Sequence, residues 1–269
     1  MNFKSDVFSL MPQMPQKVNP VGEKLPSNRD VYFRSKQNEI VDQYLTARFF
    51  MHRTEGIDWN HELSHIEDKS ARQYFELVYK IHFYEAALIF YNIVVDLSWT
   101  LCYISAEFAV SEREHRVNFD GFKSIEEAYR LMREAEKLVT NPSSEENPFM
   151  YLKKMCPEFS VAIGMVIEFW KEFGCSDIRE KYNYCKHRGK PLYSETEGLK
   201  GPRLMNLYLN DNMGNRIQCA SEQQDVQWCF GLEDSISELH DFDDDMLFPY
   251  ISALFSELEH VVSPSPLVK

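Results

Sequence analysis

Between Ile81 and Val110 the chain runs through a segment long enough to span a bilayer and more hydrophobic than any other. It nevertheless carries Glu85, Asn92, Asp96 and Glu107. An acid at mid-membrane costs roughly 2–3 kcal/mol or more, which argues against a membrane span. A helix apolar nearly all round belongs instead at the centre of a bundle or at a dimer seam. One long central helix demands other helices to cover it, and this requirement points to a mainly α fold.

The rest of the chain supplies them. Ile40, Val41, Tyr44, Leu45 and Phe49 share a helical face, and a second helix is predicted after Asp58, an N-cap, running through His65 towards Lys80. Ser124 and Glu127 form a capping box for a helix reaching about Thr140. A further helix from about Pro157 to Trp170 presents Val161, Ile163, Val166 and Ile167 to the core. Gly174 interrupts it, Ser176 caps its continuation, and Gly189 with Pro191 ends it. Next comes hairpin chemistry, with strands at 203–209 and 216–218 flanking a turn-rich loop and a third strand at 226–230. The tail returns to helix in two pieces around the acidic run 241–245, whose charges read as helix N-terminal acids favoured by the macrodipole.

The expected architecture is therefore a helical bundle with a small β-hairpin insertion and a C-terminal helical pair. Residues 1–37 are expected to be an extended or disordered arm, 38–195 the bundle, and 196–269 the hairpin with the acidic helices. Hydrophobic residues make up 44% of the 269, and Gly and Pro together number only 22, which excludes collagen-like and wholly disordered chains. The arm mixes Lys4, Asp6, Lys17 and Glu23 with prolines, unlike a secretory signal. The six cysteines form no CxxC pair and read as reduced thiols of a cytoplasmic protein. Cys175, Cys185 and His187 match no common zinc spacing.

Charge sharpens the functional reading. With 42 acids against 29 Lys and Arg, the net of −13 excludes a protein that coats nucleic acid over its whole surface. The excess is local: residues 217–269 hold 11 acids and one base, leaving 31 acids and 28 bases in residues 1–216. Within the latter, residues 179–190 oppose five bases to a single acid, Glu180. Arg179, Asn183 and His187 are spaced four apart, one stripe on a helix. An imidazole moves protons near neutral pH and a guanidinium holds a phosphate, so this pattern suits metal-independent RNA chemistry with Arg179, Asn183 and His187 catalytic. Lys186, Arg188 and Lys190 would bind the backbone, while Tyr182 and Tyr184 stack on bases. A helix C-terminus also attracts positive charge for its dipole alone.

Asn183-Tyr-Cys-Lys-His187 resembles the N-x-x-x-H part of the motif of the HEPN superfamily (higher eukaryote and prokaryote nucleotide-binding domains). Tyr182 holds the place of the family's arginine, and the nearest upstream arginine is Arg179. The resemblance covers roughly residues 38–195 and implies a helical bundle that interacts with RNA or a nucleotide. It further implies a ribonuclease of a toxin or phage-defence type, without cofactor or metal, whose site forms where two motifs meet in a homodimer. A non-catalytic dimeric interaction module with a degenerate site is the alternative. In either case the acidic C-terminal tail is expected to engage a protein partner or to cover the basic stripe.

A second string, His61-Glu-Leu-Ser-His65, fits H-E-x-x-H. Two histidines one helical turn apart bind zinc, Glu62 acts as base, and Glu85 is spaced as a third ligand. The reading of a zinc hydrolase needs this string to lie on one helix against a sheet. Glu85, Asn92 and Asp96 share a face of the central helix, where they line a cleft near the basic stripe or form a solvent edge.

Overall fold

The structure, a computed structural model, describes residues 3, 5–10, 28–114, 148–196, 207–210, 216–220 and 228–262. The fold is mainly α. Helices α1 (Asn28–Arg53), α2 (Trp59–Glu62), α3 (Lys69–Glu114), α4 (Pro148–Met155), α5 (Ser160–Phe173) and α6 (Asp177–His187) precede α7 (Leu232–Asp241) and α8 (Phe248–Val262). The capping-box helix expected after Ser124 lies outside the described residues.

The apolar segment is the inner part of α3, a single helix of 46 residues and therefore about 69 Å long. One stretch of it is long and apolar enough to cross a membrane, and 72% of that stretch is buried inside the protein. Tyr84, Leu88, Tyr91, Val95 and Leu101 are among the covered positions. Helix α1 lies along them because Ile40, Tyr44, Ala47 and Met51 alternate steps of four and three, and all are fully buried. Phe49 instead stands 53% exposed, outside the face expected for it. Val161 on α5 is likewise exposed, and Phe169, Trp170 and Phe173 join Ile163, Val166 and Ile167 in the core.

Several boundaries differ from expectation. The arm is not free to residue 37: α1 begins at Asn28, and a 3₁₀ turn at Val7–Leu10 buries both its end residues against the bundle. The helix after Asp58 lasts one turn only, and α3 starts anew at Lys69 with the Asp68 carboxylate accepting from the Ser70 and Ala71 amides.

The hairpin is present as β2 (Leu207–Asn210) and β3 (Arg216–Ala220), paired antiparallel. The third strand does not extend it. β4 (Cys229–Phe230) pairs in parallel with β1 (Leu192–Tyr193), which follows α6 directly. This small sheet ties the end of α6 to the start of α7. There the Glu195 carboxylate accepts from the Leu232 and Glu233 amides at 2.7 and 3.3 Å, a cap that Gly231 cannot provide.

The acidic run is not a helix N-terminus either. It forms a π-helical turn, Phe242–Leu247, that joins α7 to α8 without a break. The wider turn carries Asp243 and Asp244 inward, and Asp243 is fully buried.

Candidate functional site

Helix α6 carries the predicted stripe. Ser176 opens it, its Oγ accepting from the Arg179 amide at 3.2 Å. Gly189, at φ 105°, closes it in the left-handed conformation that glycine adopts without strain. Ile178, Lys181, Tyr182 and Tyr184 face inward, whereas Asn183, Lys186, His187, Arg188 and Lys190 are exposed.

The stripe is divided between two environments. Arg179 leans on α3, donating from Nη1 to Asn92 Oδ1 at 3.2 Å and lying 3.9 Å from Asp96 Oδ1. Its guanidinium also sits over the rings of Trp170, Phe173 and Tyr182 at 5.2–5.5 Å. His187 lies eight residues on, about 12 Å further along the helix axis. Within one chain the two side chains are therefore not brought to a common phosphate.

Acids of neighbouring elements absorb other charges of the segment. Lys181 is buried and donates to Ser235 Oγ at 3.1 Å and to Glu238 of the acidic tail. Lys190 pairs with Glu85 at 3.5 Å, and the same carboxylate accepts from the Tyr193 hydroxyl at 3.3 Å. The polar face of α3 expected from Glu85, Asn92 and Asp96 thus meets the basic helix directly.

The tyrosines are not free to stack on bases, since Tyr182 and Tyr184 are 7% and 6% exposed. Tyr184 instead supports Trp228, which the sequence reading missed. Their rings stack at 5.1 Å, and the Trp228 amide donates to the Tyr184 hydroxyl at 3.1 Å. The indole remains 36% exposed, and the Arg188 guanidinium stands 5.6 Å from its centre. The open part of the site therefore combines an aromatic face with Arg188, and it adjoins Lys186, His187 and Asn183 on the last turns of α6. Together these can hold phosphates and stack one base.

Cys185, on the same helix, has its thiol pushed up to about 11 by burial and then by the Glu85 carboxylate. It is a packing residue at ordinary pH.

The zincin string is split. His61 and Glu62 belong to the one-turn α2, capped by the Asp58 carboxylate, and His65 follows in a turn outside that helix. Glu85 is engaged by Lys190 and Tyr193. Among the described residues, no three His, Cys, Asp or Glu side chains gather in a way that could hold a metal ion.

No family model, no curated protein and no solved structure matches this chain.

Proposed function

We propose that this protein is a HEPN-like helical module that binds single-stranded RNA or a nucleotide at the end of α6 without cleaving it. The observation that carries the reading is the fate of the two key bases. Arg179 is occupied by Asn92, Asp96 and three aromatic rings, whereas Arg188 is exposed beside an open indole. A phosphate can reach Lys186 and Arg188, and a base can reach Trp228. Arg179 and His187 do not act on one scissile bond from a single chain.

A cytoplasmic homodimer accompanies this reading. Phe75, Tyr79 and Ile89 stand 40%, 43% and 41% exposed on one side of α3, with the Tyr79 ring stacked on Trp59. This side supports pairing of two copies along that helix.

The test is an anisotropy titration of labelled single-stranded RNA, run beside a gel for cleavage products. Wild type is expected to bind and leave the RNA intact. Trp228→Ala removes one stacking platform and weakens binding by about 1–3 kcal/mol. Cleavage that disappears in His187→Ala would replace the binding module with a ribonuclease.

A further inference from the structure

Two bases flank Gly189, and their side chains go different ways. Arg188 stands 5.6 Å from the centre of the Trp228 ring, in the open part of the site. Lys190 begins the strand that returns past the indole. The positive φ of Gly189 turns the chain out of α6, and the Leu192 amide then donates to the Trp228 carbonyl at 2.8 Å. The parallel register of Leu192 on Cys229 fixes that strand beside Trp228. The backbone of Lys190 is thus placed next to the open site, while its side chain is drawn off to α3. There the ammonium stops 3.5 Å from Glu85 Oε2.

Glu85 can lose this contact without being stranded. Its side chain is 18% exposed, against 49% for Lys190. The Tyr193 hydroxyl donates to Oε1 at 3.3 Å, and His82 Nδ1 lies 3.8 Å from Oε2. Burial, and after it the Glu85 carboxylate, hold the Tyr193 hydroxyl well above its ordinary range, so it stays a donor. When Lys190 swings away, the carboxylate keeps a hydroxyl and an imidazole beside it. Lys190 itself is a point charge on a flexible stem, and its half-exposed pairing is weak.

Charge decides which anion draws the ammonium away. An internal phosphodiester carries one negative charge, as Glu85 does, so exchanging one for the other gains little. A terminal phosphate carries about −1.5 to −2 at neutral pH and attracts the ammonium more strongly than the carboxylate. Arg188, two residues away, can hold the same group.

We propose that Glu85 is a specificity-determining residue: it withholds Lys190 from the internal phosphates of a strand and yields it to a terminal one, so the end of α6 selects RNA or nucleotides that end in a phosphomonoester. The selection rests on the end of α6 being the RNA site, and it adds the end group which that site takes.

The experiment compares internally labelled single-stranded RNAs of one sequence, carrying a 5′-phosphate, a 3′-phosphate or hydroxyls at both ends. Anisotropy is read at about pH 7.5, above the second phosphate pKa of about 6. Wild type is expected to bind one phosphorylated strand about tenfold more tightly than the hydroxyl strand, and that strand identifies the end. Lys190→Ala should cut the preference to about twofold or less. Glu85→Gln keeps an acceptor for Tyr193 but removes the charge. It should raise affinity for the hydroxyl strand about threefold and narrow the preference, and in the Lys190→Ala background it should do neither. Equal binding of all the strands by wild type would overturn the proposal and leave the RNA reading standing. A preference that survives Lys190→Ala would also overturn it, as would a Glu85→Gln gain of equal size with and without Lys190. Failure to bind any strand would remove the RNA reading and the selection together.

Discussion

Arg48 and Asp243 stand 195 residues apart in the chain, and their side chains meet in the core through a 2.7 Å hydrogen bond from Nε to Oδ2. The same carboxylate accepts from the Tyr91 hydroxyl at 2.8 Å and from the Tyr44 hydroxyl. One buried acid therefore gathers α1, α3 and the π turn at a single point. Burial holds Asp243 above the ordinary carboxylate range against the pull of Arg48 and both tyrosines. Burial also lowers the Arg48 guanidinium, but Asp243 outweighs it and leaves that group raised. The pair is a point of specificity, since the gain from pairing two buried charges is largely spent on desolvating them.

Breaking this pair is far more damaging than its net worth. Asp243→Ala leaves Arg48 buried without its main partner and is expected to cost about 3–5 kcal/mol in urea denaturation. Arg48→Met combined with Asp243→Leu should recover only part of that loss, because the buried Asp244, 3.6 Å from Arg48 Nη2, and the Tyr44 and Tyr91 hydroxyls each lose a partner. A single variant as stable as wild type would show that water reaches the cluster.

Thiol chemistry on α6 should follow burial. With Cys185 raised to about 11, its thiolate fraction at pH 8 is about one in a thousand. Alkylation mapped by mass spectrometry should mark the exposed Cys175 and Cys229 before Cys185. The rate at Cys185 should climb about tenfold per pH unit and level off near 11, since the reactive thiolate accumulates only as pH approaches the raised value. Labelling of Cys185 at pH 8 as fast as Cys175 would contradict the burial argument.

The exposed face of α3 gives a prediction about assembly. Light scattering should report about twice the chain mass of 31.7 kDa for wild type. Tyr79→Glu with Ile89→Glu should shift the protein to monomer, because burying two unpaired acids is costly. A monomeric wild type would remove the homodimer from the proposed function.

The fold was legible in the sequence where periodicity alone determines structure. The spacing of Ile40 and Tyr44, the Ser176 cap and the Gly189 stop all fell where local rules place them. What escaped was set by contacts distant in sequence. Asp243 looks like an exposed acid beside Asp244 and Asp245, and only the π turn, with Arg48 and two tyrosines waiting, carries it inside. Arg179 looks free until Asn92 and Asp96 are placed opposite it. Tyr182 and Tyr184 share a helix with the exposed bases, yet the helix turns them inward and leaves the indole of Trp228 outside. A spacing of four identifies a shared stripe on a helix, but the partner helix decides which members of that stripe reach solvent.

The proposed function rests on Lys186 and Arg188 meeting phosphates, and salt dependence measures that directly. Two phosphate contacts to a single strand contribute a slope of about −1.4 in log affinity against log salt concentration. Titrating labelled single-stranded RNA across a series of salt concentrations, wild type should therefore show a slope steeper by about 1.4 than Lys186→Ala with Arg188→Ala. Identical slopes and affinities for the two proteins would contradict the account and leave the end of α6 a helix terminus that merely balances its dipole.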